Sequence, residues 1–217
     1  MPILSCTALI FDLDGTLVDT TATIFAHWNR WAARHSLDIH SIMERSHGLR
    51  SLETIKLVAP HLDAATEAAY MEAQEAGDTT GTQVMPGAAA LLALLPRERW
   101  NIATSGSWAI ASARLNHVGL PIPAQMVTAE QVIAGKPDPE PFRLAAERLG
   151  VDPTACIAFE DAPAGIASAK AAGMTVVGVT VNYPPEKLGQ ADYLVPDLSH
   201  VSVQIGAAGQ LELTLHG

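Results

Sequence analysis

Four short apolar runs, residues 7–11 (TALIF), 100–104 (WNIAT), 155–159 (ACIAF) and 174–179 (MTVVGV), recur along the chain with helical patterns between them. A run of that length, closed by an acid or a hydroxyl, reads as a strand buried on both faces. The intervening stretches 87–95, 108–118, 139–149 and 163–172 have helical length, and Gly119, Gly150 and Gly173 fall where helix C-terminal caps belong. Alternation at this spacing predicts an α/β fold with a parallel sheet and helices on both faces. A last segment, 210–215 (QLELTL), alternates as an edge strand does.

Between Thr20 and about Gln83 the character changes, because helical patterns follow one another without a convincing strand. The chain therefore divides into a Rossmann-like core, residues 1–19 and 84–217, and an inserted all-helical cap domain, residues 20–83. In its first helix Ile24, Phe25, Trp28, Trp31, Ala32 and His35 recur at three- and four-residue spacings and make one apolar face, with the tryptophans read as core. The stretch 78–83 (DTTGTQ) is the return linker.

The chain has 217 residues, 48% of them hydrophobic, enough for a packed core. With 13 Lys plus Arg and a net charge of −10, nucleic acid and anionic membrane are poor partners, since both reward clustered cations. The longest apolar run, 88–95, is far short of the roughly 20 residues of a membrane span. No leader pattern is read at the N-terminus, so the cytoplasm is expected. Cys6 and Cys156 lack metal-ligand spacing and read as small core residues in a reducing compartment. A monomer or weak homodimer is expected.

Four motifs carry chemistry. Asp12-Leu13-Asp14-Gly15-Thr16-Leu17-Val18-Asp19 follows the first strand, where open α/β sheets place ligands. Two carboxylates there repel each other and are costly to desolvate without a cation, so a metal is implied. Thr104-Ser105-Gly106-Ser107 offers hydroxyls and backbone N–H groups before a helix, a phosphate cradle, although Ser107 also suits a plain helix N-cap. Gly135-Lys136-Pro137-Asp138-Pro139 holds a lysine in a proline-stiffened loop. Phe159-Glu160-Asp161-Ala162-Pro163-Ala164-Gly165 ends a strand in two acids, which suit magnesium; Asp161 as the N-cap of the next helix is the plainer alternative.

In this order the motifs resemble the haloacid dehalogenase superfamily, specifically its phosphatase branch with a helical cap after the first strand. Ser46-His47-Gly48-Leu49-Arg50, Ala103-Thr104-Ser105-Gly106 and the stretch from Phe159 to Ile166 are similar to bacterial sugar-phosphate phosphatases and glycerol phosphate phosphatases. The resemblance implies that Asp12 attacks phosphorus and becomes phosphorylated, and that Asp14 protonates the leaving alcohol and later activates water. It implies Mg2+ bound by Asp12, the Asp14 carbonyl and Asp161, with Glu160 binding directly or through water. Thr104, Lys136 and the N–H groups of Ser105 and Gly106 would hold the phosphoryl oxygens of a small phosphorylated metabolite. His47 and Arg50 are the cap residues expected to set specificity, and Trp28 and Asn29 are further cap residues that could face the site. A sugar phosphomutase using the same phosphoaspartate chemistry is the alternative; SHGLR favours hydrolysis. Halide removal is disfavoured because it requires neither Asp14 nor magnesium, and a noncatalytic module is disfavoured by the intact set.

Overall fold

The structure, a computed structural model, describes residues 2–207 and 209–216. Its centre is β2 (Ala8–Phe11), every residue of which is buried. Successive side chains of a strand point to opposite faces, and here both faces are core. Leu9 and Phe11 pack with Leu91, Leu92, Ala111 and Leu115, whereas Ala8 and Ile10 pack with Phe142, Ala145, Ala146, Ile166 and Ala169. The first set belongs to α5 (Ala88–Leu94) and α6 (Trp108–His117), the second to α7 (Glu140–Arg148) and α8 (Pro163–Ala171).

The parallel sheet runs in the order β5 (Trp100–Ile102), β2, β6 (Cys156–Glu160), β7 (Thr175–Val179) and β8 (Tyr193–Val195). Phe11 stands opposite both Ile102 and Phe159 in register, and its ring stacks on Phe159 at 5.1 Å. Because these three strands end at one level, the residues just beyond them are brought to one edge: Asp12, Thr104 and the Glu160-Asp161 pair. The predicted strands and helices are all present with ends shifted by a residue or two, and Gly119, Gly150 and Gly173 have the positive φ of helix caps.

One expectation is overturned. The alternating segment is β10 (Leu211–Leu215), which is not an edge strand but the middle of a second, antiparallel sheet between β1 (Ile3–Cys6) and β9 (Val201–Ile205). Its Leu211, Leu213 and Leu215 are buried against the α5/α6 side of the core. At about 1.5–3 kcal/mol per fully buried leucine, that face anchors the small sheet. Cys6 and Cys156 are buried and unbridged, and burial pushes their thiols up to about 12 and about 11.

Residues between Thr20 and Gln83 form four helices, α1 (Thr21–His35), α2 (Ile39–Ser46), α3 (Ser51–Val58) and α4 (Ala64–Glu75), around a hydrophobic cluster of their own. Asp38 and Asp63 cap α2 and α4 by accepting backbone N–H bonds. Trp28 and Trp31 meet edge to face at 5.4 Å in that cluster, and Trp31 Nε1 donates to Glu67 at 2.9 Å. Phe25, at the margin of the apolar stripe, is 40% exposed and lies outside the face assigned to it. The unit joins the core through a two-stranded ribbon in which β3 (Val18–Asp19) pairs with β4 (Gln83–Val84). Among the described residues, no helix is long and apolar enough to cross a membrane.

Candidate active site

At the carboxyl edge of the sheet lies a cavity of about 290 Å³, at the small end of metabolite sites, which run to about 1,000 Å³. Asp12, Asp14, Asp161, Thr104, Ser105 and Gly106 line it from below, and residues 46–52 of the helical unit from above.

Asp12 is placed by its N–H, which continues the sheet by donating to Phe159 O at 2.9 Å. Lys136 lies behind it with no solvent exposure. Its ammonium contacts Asp12 Oδ1 and donates to Glu160 Oε1 at 2.7 Å. Burial works against that charge, but Asp12 and Glu160 outweigh it and raise the lysine above its ordinary pKa. Burial acts the other way on Asp12: desolvation pushes its carboxyl up to about 7, despite the lysine, and neighbouring Glu160 and Asp14 add to the rise. Asp161 is raised well above the ordinary carboxylate range, by burial first and then by Glu160 and Asp12.

The donor set fits a hard divalent cation. Asp12, Glu160 and Asp161 are all buried, and each brings a carboxylate oxygen within 4.8 Å of the others. Three carboxylates against one ammonium leave an excess of two negative charges, the amount one divalent ion cancels. Glycines make the approach possible. At Gly15, φ is +94° and a Cβ would stand 2.3 Å from Asp161 Oδ2; at Gly165 a Cβ would fall 1.6 Å from Glu160 Oε1. Asp161 is not the N-cap of α8; its Oδ2 accepts from Asn182 Nδ2 at 2.8 Å, and Glu160 Oε2 accepts from the N–H of Ala162 at 2.8 Å.

Thr104 is buried, and its hydroxyl oxygen accepts from the N–H of Gly106 at 3.0 Å. Ser107 is the N-cap of α6, while the N–H of Trp108 donates to Glu130. Ser105 uses its hydroxyl to donate to Gly48 O at 2.7 Å, a contact between core and helical unit. His47 lies 2.9 Å from the Tyr183 hydroxyl, and burial draws its pKa below the ordinary value. Arg50 lines the cavity, but its nitrogens pair with Glu53 and donate to the carbonyls of Ala129, Val132 and Ile133 at 3.0–3.1 Å. The arginine thus fastens the helical unit to a core loop. Trp28 also lines the cavity, whereas Asn29 is exposed and does not.

Sequence reasoning missed Arg114. It lies on α6, buried, donating to Asp14 Oδ1 at 2.7 Å and paired with Glu75 at the end of α4. Thr20 donates to the same Asp14 oxygen at 2.9 Å. The available signal was its position: Ile110, Ala111, Arg114 and Leu115 occupy one helical stripe, where an arginine needs a buried anion. Asn182, beyond β7, carried no comparable signal.

A family model described as haloacid dehalogenase-like hydrolase matches residues 6–173. The chain belongs to the haloacid dehalogenase-like hydrolase family. Hexitol phosphatase A of Escherichia coli (strain K12) is 38% identical over 203 residues, covering 91% of this chain and 94% of that one. Glycerol-1-phosphate phosphohydrolase 2 of Saccharomyces cerevisiae is 32% identical, covering 94% and 86%. The crystal structure of a hydrolase from Pseudomonas syringae superposes with a TM-score of 0.80 at 28% identity, covering 88% of this chain and 94% of that chain. The fold and the helical insertion are those of this family.

Proposed function

We propose that the chain is a magnesium-dependent phosphoric monoester hydrolase acting on a sugar phosphate or glycerol phosphate, with residues 20–83 serving as its cap and the remainder as its catalytic core. The observation that carries this reading is the convergence of Asp12, Asp14, Asp161 and Thr104 on one covered cavity, with Lys136 and Glu160 directly behind. The buried unbridged cysteines fit a cytoplasmic setting.

In this mechanism an Asp12 carboxylate oxygen forms a bond to phosphorus as the bond from phosphorus to the ester oxygen breaks. Asp14 gives its proton to the departing oxygen, and the alcohol leaves. Water then attacks the phosphorus of the aspartyl phosphate, Asp14 takes a proton from that water, and inorganic phosphate departs with Asp12 restored. Lys136 offsets the charge of Asp12 and has a third N–H for a phosphoryl oxygen. The Thr104 hydroxyl, which accepts from the N–H of Gly106 at 3.0 Å and keeps its own proton to donate, and the N–H of Ser105 would meet the other oxygens. A bound divalent ion, held by Asp12, the Asp14 carbonyl and Asp161 with Glu160 close by, supplies charge compensation for the transferring group.

The charges around the cavity favour an uncharged alcohol as leaving group. Beyond the phosphoryl end the lining includes Glu72, Glu75 and Glu130, while its two arginines, Arg50 and Arg114, are already paired with carboxylates. A second anionic group on the substrate would meet like charge there. The test is phosphate release from glycerol phosphates, hexose and hexitol phosphates and 2-phosphoglycolate. Magnesium-dependent turnover of the neutral-alcohol esters, abolished by EDTA and by Asp12→Asn, is expected. Full turnover by Asp12→Asn, with deamidation excluded, overturns the nucleophile. Isomer formation after bisphosphate priming, without phosphate release, would make the protein a mutase.

A further inference from the structure

Asp14, the acid and base of the proposed reaction, is held by two donors on the same oxygen. Thr20 reaches it at 2.9 Å from the segment entering the helical unit, and Arg114 at 2.7 Å from α6 of the core. Arg114 is in turn paired through its other terminal nitrogen with Glu75, the last residue of α4. The arginine side chain is 3% exposed, and its Nε is buried with no hydrogen-bond partner, so the two carboxylates carry its compensation. All three residues lie in the wall of the cavity, so a substrate would rest against the bridge.

The two ends of the bridge belong to different bodies. Asp14 and Arg114 are parts of the core, whereas Glu75 arrives with the helical unit, which joins the core covalently only through the β3–β4 ribbon. Other contacts across the same boundary, Ser105 with Gly48 and Arg50 with the carbonyls of residues 129–133, describe a closed arrangement. When the unit lifts, Arg114 loses one of its two anions, and a buried guanidinium with one partner no longer has a single best position. Orientation of the Asp14 carboxylate therefore depends on whether the cap is closed.

We propose that the Glu75–Arg114–Asp14 bridge transmits cap closure to the acid–base carboxylate, with Arg114 as a positioning residue and Glu75 as its cap-side anchor. The inference rests on the phosphatase reading above. It makes proton transfer competent only over an enclosed substrate, which guards the aspartyl phosphate chemistry against an open site.

The experiment uses Glu75→Gln, which is isosteric and keeps the cap intact, with Arg114→Lys as a second variant that preserves charge but loses the fork that spans two carboxylates. Both are assayed with glycerol phosphate, whose alkoxide needs a proton to leave, and with 4-nitrophenyl phosphate, whose phenolate does not. Thermal melting checks the fold of each. For glycerol phosphate we expect kcat to fall about 10–100-fold with KM changed less than about threefold, a loss that stays at or below the low end of the roughly 10²–10⁴-fold supplied by general acid–base catalysis, because Asp14 itself remains. The pre-steady-state burst of 4-nitrophenolate should persist at the wild-type rate. In an Asp14→Asn background Glu75→Gln should cost nothing further. A 4-nitrophenolate burst slowed as much as glycerol phosphate turnover, an additive effect with Asp14→Asn, or unchanged glycerol phosphate turnover by both variants overturns the bridge. Absence of phosphate release by the wild type from every ester overturns instead the phosphatase reading on which the bridge depends.

Discussion

Replacing Lys136 by methionine keeps most of the side-chain length and removes the one cation between Asp12 and Glu160. The ammonium is fully enclosed and satisfies an oxygen of each acid. Removing one member of a buried ion pair costs about 3–5 kcal/mol, because the partner charge is stranded. Part of that cost has an escape. Asp12, already pushed up to about 7, takes a proton at neutral pH with little penalty. Glu160 is left with Oε1 undonated and keeps only the N–H of Ala162 on Oε2 at 2.8 Å. The loss therefore belongs near the lower end, about 3 kcal/mol. For a chain of this length each kcal/mol moves the melting temperature by about 2–4 °C, so Lys136→Met should melt about 6–12 °C below wild type in a chelator. Adding Glu160→Gln should recover part of that deficit by removing the stranded charge. With saturating magnesium, phosphate release should fall at least about 100-fold, the scale of losing one preorganised donor to the reacting oxygens. A melting temperature within about 2 °C of wild type would refute the claim that this ammonium carries the charge of the site.

Gly165→Ala places a Cβ on the Glu160 carboxylate, so the acid must move away from Lys136 and the Ala162 N–H; the melting temperature should fall, magnesium titration of activity should show half-saturation raised about 10–100-fold, and an unchanged magnesium requirement would remove Glu160 from the ion's surroundings. Arg50→Gln removes the donors to three core carbonyls and the pairing with Glu53, which should raise KM about tenfold in steady-state kinetics; an unaltered KM would mean that the cap closes without this fastening. Burial raises the Asp192 carboxyl, but Lys170 at 2.7 Å and the N–H of Val176 at 2.8 Å outweigh it and hold the group below its ordinary pKa. Its stabilisation is present above the unfolded value near about pH 4 and is lost as pH falls through the lowered folded value. Asp192→Asn should thus melt below wild type at pH 7, with the gap closing under about pH 4, and a gap constant from pH 7 to 3 would contradict it.

The core strands were legible because burial on both faces leaves only apolar residues in the run, as in Ala8–Phe11, and because three of the four runs stop at a polar residue that lines or backs the cavity. The helical unit was legible from period alone. What escaped was set by partners distant in sequence. β10 alternates as an edge strand does, and only β1 and β9, themselves short and mixed, make it central. Arg50 reads as a polar loop residue aimed at substrate, yet the carbonyls it meets lie 79 or more residues away. His47 likewise meets Tyr183, 136 residues on. Asp14 was assigned a role on its motif, but the arginine that orients it lies 100 residues later and belongs to no motif.

That contrast has a physical origin in charge. Each acidic group at the sheet edge is expensive to bury, and the cations that offset the set come from elsewhere: Lys136 behind Asp12, Arg114 beside Asp14 and, in the proposed reaction, a divalent ion that Asp12, Glu160 and Asp161 would hold. The first cation is part of the core and permanent. The second is held on both sides only while Glu75 is in place, and the third would come from solution. Counted over Asp12, Asp14, Glu160 and Asp161, the two side-chain cations leave an excess of two negative charges, which one divalent ion would cancel; Glu75 brings one more negative charge with the cap, so closure contributes by holding Arg114 in place and not by neutralising the site. If cap closure and ion binding stabilise the same state, magnesium should protect the Arg50 and Ser105 contact loops from hydrogen exchange in wild type and less so in Glu75→Gln. Equal protection in both proteins would separate the two events and leave the cap free to close without regard to the charge of the site.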